Sequence, residues 1–171
     1  MGDVACAMPV VALIKERYPD ASVDWLVNKE YAGLAKAAGA DRVLVIDRQA
    51  WKKISSWPKA LFNYLSVAAK LPFQHYDYAI DLQGLLRSGI FTALANAKKA
   101  IGFADGRECS PIFYDTKVTV NRKLTHSTLC NLEVLKEIGI EKKEKWPSFA
   151  PADTQSTLDK FGLRKKGFFI A

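Results

Sequence analysis

The stretch of residues 76–89, YDYAIDLQGLLRSG, decides the fold. Its residues 78–82 are a short, mostly apolar run that predicts a strand, Gln83-Gly84 predicts a tight turn, and apolar residues then recur at helical spacing from Leu86. Such a unit places polar groups at the carboxyl end of a buried parallel strand, where open α/β sheets bind their ligands. Taken alone, the stretch favours a simpler interpretation, in which Asp81 is a solvated strand-end acid and Gln83-Gly84 only makes the turn.

Strands and helices alternate along the rest of the chain. Further strands are predicted at 22–27, 42–47, 100–103 and 117–120. The first predicted helix runs from residue 4 to Arg17 and contains Pro9, and the second includes Tyr31 and stops at Gly39. A third helix is predicted in two pieces around Pro58. The last two are predicted over 85–96 and from a cap at Thr125 or Ser127 to Gly139. This order indicates an α/β fold, with a Rossmann-like parallel sheet flanked by helices and joined by right-handed crossovers.

Both ends of the chain depart from that pattern. The chain begins with a helix where a parallel α/β fold begins with a strand, and it ends in the apolar run Gly167–Ala171, which needs neighbouring strands. We therefore expect a Rossmann-like domain over 1–145 that lacks its first strand. Residues 146–171 are expected to form a linker, a helix and the first strand of a second domain.

Composition excludes several classes of protein. With 171 residues and 49% hydrophobic content, the chain can bury one sizeable core. No apolar run is long enough for a membrane span and no signal peptide is recognisable, so we expect a cytoplasmic location. The three cysteines form no CxxC pair and are odd in number, which argues against a disulfide framework. The chain has only two histidines, which argues against a histidine-rich metal site.

Charge is concentrated in one segment of a basic chain. The formal net charge is +7 and the pI about 9.3, which favours acidic partners such as phosphorylated substrates, nucleic acid or an anionic membrane. No acid occurs between Asp47 and Asp77, where basic residues such as Lys52 and Lys53 alternate with aromatic ones such as Trp51. This pattern indicates contact with a membrane surface or a polyanion, or else an ordinary surface helix with a solvated lysine face.

Three motifs, in order, resemble glycosyltransferase family 9, the lipopolysaccharide heptosyltransferases. They are Met1-Gly2-Asp3-Val4 with Pro9, the run Asp81–Ser88, and Gly106-Arg107-Glu108 leading to Phe113-Tyr114. His126, with Asn131 and Leu132 before Gly139, also matches the family's late helix. The resemblance covers almost the whole chain and implies the amino-terminal half of a two-domain glycosyltransferase of the GT-B type.

The resemblance implies an inverting transfer of L-glycero-D-manno-heptose from ADP-heptose to a Kdo sugar of the lipopolysaccharide inner core. It implies Asp3 as the catalytic base. Acceptor contacts are implied for Lys52, Lys53, Gln83, Gly84, Arg87 and Arg107. No metal or cofactor is implied, the donor site belongs to the second domain, and the partner is Kdo-lipid A at the cytoplasmic face of the inner membrane. By themselves, Asp3 also fits an ordinary helix cap and Arg87 a surface cation.

Two other classes of function stay open on the residues. A non-catalytic α/β module that binds polyanions is compatible with the pI and with the alternation of tryptophan and lysine, although no known nucleic-acid-binding motif is present and no nucleic-acid partner is expected. A nucleotide-dependent oxidoreductase on the same fold is disfavoured, because no strand is followed by GxGxxG and no Walker lysine loop occurs.

Overall fold

The computed structural model describes residues 2–47, 57–122 and 124–141. Helices and strands alternate in it as the sequence predicts. The helices are α1 (Gly2–Arg17), α2 (Ala32–Ala37), α3 (Trp57–Lys70), α4 (Leu86–Leu94) and α5 (Ser127–Glu133), and the strands are β1 (Asp24–Asn28), β2 (Arg42–Ile46), β3 (Tyr78–Asp81), β4 (Lys99–Phe103) and β5 (Thr116–Val118). Short 3₁₀ turns at 29–31, 71–73, 110–113 and 134–138 complete the described elements.

The strands form two parallel sheets. In the first, β1 pairs with β2, and Trp25 lies opposite Val43. In the second, the order is β3-β4-β5, and Ile80 lies opposite Ile101. The predicted class, parallel sheet flanked by helices, is therefore confirmed, although the described strands divide into two sheets.

A large cleft separates the two sheets. Its volume is about 1970 Å³, and β1 and β3 line it along their whole length. Residues of α1 such as Val10 and Ile14 line it as well, together with Phe91 of α4. Among the described residues, no strand pairs with the edge of β1 or β3 that faces this cleft.

Helix α1 serves two apolar clusters of different size. Val10 and Leu13 pack in the larger cluster with β4 and α5, whereas Met8 and Val11 pack in a smaller one with Ala38. Pro9 lies within α1 and is buried, so the helix continues through it from Gly2. Burial of apolar side chains on two sides compensates for the hydrogen bond that a proline removes from a helix interior.

Some predicted boundaries are confirmed and others are wrong. Gly39 and Gly139 stand at the helix ends with φ of 96° and 75°, as glycine stop signals require. The predicted cap of α5 is wrong in its residue, because the imidazole Nδ1 of His126, 3.3 Å away, accepts from the Thr128 N–H. Helix α3 begins at Trp57, so Pro58 lies in its first turn, where backbone N–H groups have no partner within the helix. The helical piece predicted before Pro58 lies outside the described residues.

The carboxyl-terminal predictions lie outside the described residues. These are the linker, the helix at 152–161 and the strand Gly167–Ala171, so the predicted division at 145 and 146 stays a prediction. Within the described part of the chain, no helix is both long enough and apolar enough to cross a membrane.

Candidate functional site

The turn that follows β3, residues 82–85, is built on Asp81, and we call it the β3 turn. The Asp81 side chain is 4% exposed, so its interpretation as a solvated acid is wrong. Its Oδ1 accepts hydrogen bonds from the backbone N–H groups of Gln83 at 2.8 Å and Gly84 at 3.0 Å. Gly84 has φ of 67°, a conformation that glycine adopts without strain, which explains the Gln-Gly pair at this point.

Tyr114 binds the second carboxylate oxygen of Asp81. Its hydroxyl donates to Asp81 Oδ2 at 2.6 Å. Burial first, and then this hydrogen bond, raise the pKa of Tyr114 well above its usual range. The Tyr114 ring lies over Gly102, where a Cβ atom would come within 2.4 Å of it, so the glycine in β4 makes room for the ring.

The segment after β4, residues 104–113, is the second component of the site, and we call it the β4 loop. The Arg107 N–H donates to the carbonyl of Gly84 at 2.7 Å, which joins the β4 loop directly to the β3 turn. Glu108 and Cys109 have φ of 54° and 62°, a left-handed conformation that is uncommon for residues other than glycine. Two successive left-handed residues reverse the chain directly after Arg107.

The start of α4 lies against both segments. The Ser88 hydroxyl oxygen accepts from the Leu85 N–H at 3.0 Å and so caps the helix, while a Glu108 carboxylate oxygen accepts from the Leu86 N–H at 3.2 Å. A glutamate from the β4 loop at a helix amino terminus is also favoured by the helix dipole. Arg87, in the first turn of α4, is half-buried and faces the cleft.

Asp3 lies in the first turn of α1 and is exposed. It lines the cleft that Gln83, Arg87 and Arg107 also line. Helix α1 is held near this end by α5, since the side-chain N–H of Asn131 donates to the Cys6 carbonyl at 3.1 Å. The cleft runs along the whole length of β1 and β3. Asp3 and Arg107 both line it, and neither a hydrogen bond nor an ion pair joins these two side chains.

The structure joins three of the predicted site residues directly and places two more along the same cleft. Gln83, Gly84 and Arg107 are neighbours, and Arg87 and Asp3 line the same cleft. Lys52 and Lys53 lie outside the described residues. Sequence reasoning missed the roles of Asp81, Tyr114 and Glu108; the one available signal was an acid placed two residues before the Gln83-Gly84 pair.

One protein-family model matches more than half of the chain. Residues 64–171, well over half of the sequence, match the model of glycosyltransferase family 9 (heptosyltransferase). The chain belongs to glycosyltransferase family 9. The family match includes the β3 turn, the β4 loop and α5, and α1 lies ahead of it.

Characterised family 9 proteins are distant relatives of this one. The chain is 26% identical over 164 residues to the lipopolysaccharide core heptosyltransferase OpsX of Haemophilus influenzae, covering 94% of this chain and 44% of that protein. It is 28% identical over 163 residues to lipopolysaccharide heptosyltransferase 1 of Salmonella typhimurium, covering 89% of this chain and 49% of that protein. The chain therefore spans about half the length of the curated relatives it matches.

Solved family 9 structures share the fold. The Escherichia coli heptosyltransferase WaaC, solved with ADP-2-deoxy-2-fluoro heptose, matches with a TM-score of 0.74 at 24% identity, over 88% of this chain and 49% of that one. A family 9 glycosyltransferase from Veillonella parvula matches with a TM-score of 0.72 at 16% identity, over 96% of this chain and 47% of that one. At these identities the likeness concerns the fold.

Proposed function

We propose that this protein is an inverting glycosyltransferase that moves L-glycero-D-manno-heptose from ADP-heptose to a Kdo sugar of the lipopolysaccharide inner core. Membership of family 9 carries the reaction class, and its lipopolysaccharide heptosyltransferase relatives support the choice of sugar and acceptor. The chain's part in this reaction is to hold the acceptor and to supply the base.

Asp3 is the proposed base. In an inverting transfer the acceptor hydroxyl attacks the anomeric carbon as ADP leaves from the opposite face, and one base takes the hydroxyl proton. Asp3 is exposed in the first turn of α1, where the helix dipole stabilises its negative charge, and it lines the cleft. These features let a carboxylate reach a substrate hydroxyl from the carboxyl end of the sheet.

Arg107 and Arg87 are the proposed contacts to the acceptor. The inner-core acceptor carries carboxylate and phosphate groups, and a guanidinium binds either of these with two parallel hydrogen bonds. Gln83 and Gly84 form the floor beneath them in this proposal. Lys52 and Lys53, which lie outside the described residues, would add point charges from the basic segment.

In this proposal the donor binds in the second domain, which the family resemblance places after residue 145. The resemblance implies no cofactor or metal for the transfer. We also propose a peripheral position at the cytoplasmic face of the inner membrane, where the acceptor lipid is anchored. The exposed side chains of Phe62 and Leu65, 72% and 58% accessible on α3, lie in the same basic segment and support contact with such a surface.

The test of the proposed function is heptose transfer by the chain extended to the full length of its relatives. With ADP-heptose and Kdo-lipid A, we expect Asp3→Ala to lower kcat by about 10²–10⁴-fold, because the general base is lost. Asp20→Ala is the matched control, an exposed acid just beyond the other end of α1, and it should leave kcat unchanged. The 171-residue chain alone should be inactive.

Two results would count against the proposal. If the extended wild-type protein transfers no heptose but binds arbitrary RNA in a strongly salt-dependent manner, the chain is a polyanion-binding module. If transfer is robust and Asp3→Ala retains most of it, the reaction stands and the assignment of the base is wrong.

A further inference from the structure

We propose that Asp81 is the positioning residue of the acceptor site: it joins the β3 turn to the β4 loop and thereby fixes where Arg107 presents its guanidinium. This inference rests on the proposed function, in which Arg107 contacts an anionic acceptor. It concerns a residue that touches no substrate and acts through two neighbouring segments.

Both carboxylate oxygens of the buried Asp81 side chain accept hydrogen bonds. Two backbone N–H groups and one phenol hydroxyl donate to its two oxygens, at 2.8, 3.0 and 2.6 Å. A buried carboxylate is costly unless its oxygens are hydrogen-bonded, and bonds to an ionised acceptor are stronger than those between neutral groups. The Asp81 side chain therefore holds its three donors firmly in place.

The first route from Asp81 to Arg107 passes through Gly84. The N–H of Gly84 donates to Asp81, and the carbonyl of the same residue accepts from the Arg107 N–H at 2.7 Å. Both peptide groups flanking the Gly84 Cα are thus fixed, one by the aspartate and the other by the loop. A rotation of the β3 turn would break the bond to Arg107.

The second route passes through Tyr114, directly after the β4 loop. Tyr114 is buried, donates to Asp81 and packs over Gly102. Asp81 therefore holds the β4 loop at its far end through Tyr114 and near its middle through Gly84. The attachment through Gly84 is made by the Arg107 N–H itself, and the Arg107 side chain is exposed, so its backbone is fixed while its guanidinium reaches the cleft.

A purely structural role for Asp81 predicts lower stability with unchanged acceptor affinity, whereas a positioning role predicts a specific loss of acceptor affinity. The variants are Asp81→Ala, Asp81→Asn and Tyr114→Phe in the chain extended to the length of its relatives. Val134→Ala is the matched control: this side chain is fully buried in the larger cluster and belongs to neither segment, and its truncation also lowers the Tm.

We expect Asp81→Ala to raise the KM for the acceptor by about tenfold or more, equivalent to one lost charge-assisted contact, with kcat and the donor KM nearly unchanged. Asp81→Asn should restore much of the acceptor KM, because an amide oxygen still accepts from both N–H groups and its NH₂ can donate to the Tyr114 oxygen. Tyr114→Phe should raise the acceptor KM less, because the hydrogen bonds from Asp81 through Gly84 to Arg107 remain.

The proposal is overturned if Asp81→Ala raises the acceptor KM no more than Val134→Ala does at a similar loss of Tm. Amide hydrogen exchange at Gly84 and Arg107 provides a readout that needs no transfer. If the wild-type protein proves inactive, the proposed function fails, while faster exchange at both amides in Asp81→Ala than in Val134→Ala still supports the junction. Equal exchange in the two variants refutes it.

Discussion

The two sheets of the molecule are built differently. The β3-β4-β5 sheet, with α1 and α5, encloses a cluster that includes Ile101, Phe103 and Leu132 at 0% exposure, whereas the β1-β2 sheet packs on a smaller cluster of Met8, Val11 and Ala38. The candidate site residues after β3 and β4 all belong to the more densely packed side. Loops that must hold a charged side chain in one position benefit from a rigid base, and this side of the molecule supplies one.

Each side also has one aspartate with a tyrosine partner, and their places differ. Asp81 and Tyr114 meet at the carboxyl end of β3, inside the site. Asp24 stands at the amino end of β1, where it accepts from the Tyr76 hydroxyl at 2.5 Å and pairs with Arg42. The first pair organises a site, and the second ties β1 to the segment before β3.

Glycine substitutions should separate the two sides most strongly. Gly102→Ala places a methyl group 2.4 Å from the Tyr114 ring and should destabilise by about 1–3 kcal/mol through overpacking. Gly33→Ala, in α2 on the other side, meets no atom within 4 Å and should stabilise by up to about 1 kcal/mol, since alanine is the better helix former. Urea denaturation measures both. Effects of the same sign would contradict the difference in packing.

Truncation of a buried valine should show the same contrast with a smaller amplitude. Val134→Ala, in the larger cluster at 0% exposure, should cost about 2–3 kcal/mol, which combines the transfer of two carbons with a cavity. Val11→Ala, in the smaller cluster beside the cleft, should cost about 1–1.5 kcal/mol, because the cleft already borders the side chain. Equal losses in denaturation experiments would mean that both clusters are packed alike.

The smallest effect concerns pH. Burial, followed by the hydrogen bond to Asp24, raises the pKa of Tyr76 to about 12, above the value of about 10 in the unfolded chain. The folded state then holds the phenol proton more tightly, so this stabilisation is fully present below pH 10 and is lost as the pH rises toward 12.

Tyr76→Phe should therefore reduce the fall in stability between pH 10 and 12, measured by urea denaturation at several pH values. Tyr78→Phe is the control, an exposed tyrosine two residues further along the chain. A wild-type profile that Tyr76→Phe leaves unchanged would show that the Asp24 pair does not hold the proton.

Much of the fold could be predicted from local signals. Apolar β-branched runs such as 42–46 identify strands, and Gly39 and Gly139 identify helix ends, because each signal depends on a few neighbouring residues. Pro9 was harder to interpret, since its tolerance within α1 depends on burial by distant elements. The order of the strands within a sheet depends on pairing between remote segments, which periodicity does not encode.

The candidate site was predictable to a different extent. The resemblance supplied Gln83, Gly84 and Arg107, and the structure places these three in contact or close succession. Asp81 was interpreted as solvated because nothing near it in sequence reveals Tyr114, 33 residues away, as its partner. Long-range hydrogen bonds of this kind decide which acid is buried, and a single sequence does not contain them.

The bond between Asp24 and Tyr76 fixes the separation of the two sheets at the amino ends of β1 and β3. The place of Asp3 depends on other contacts, because α1 is tied to α5 through Asn131 and the Cys6 carbonyl and packs in the larger cluster through Val10 and Leu13. The proposed base and the proposed acceptor cation are therefore carried by elements of one packed body, and a change in the angle between the sheets would widen the cleft without altering the support that those two side chains share.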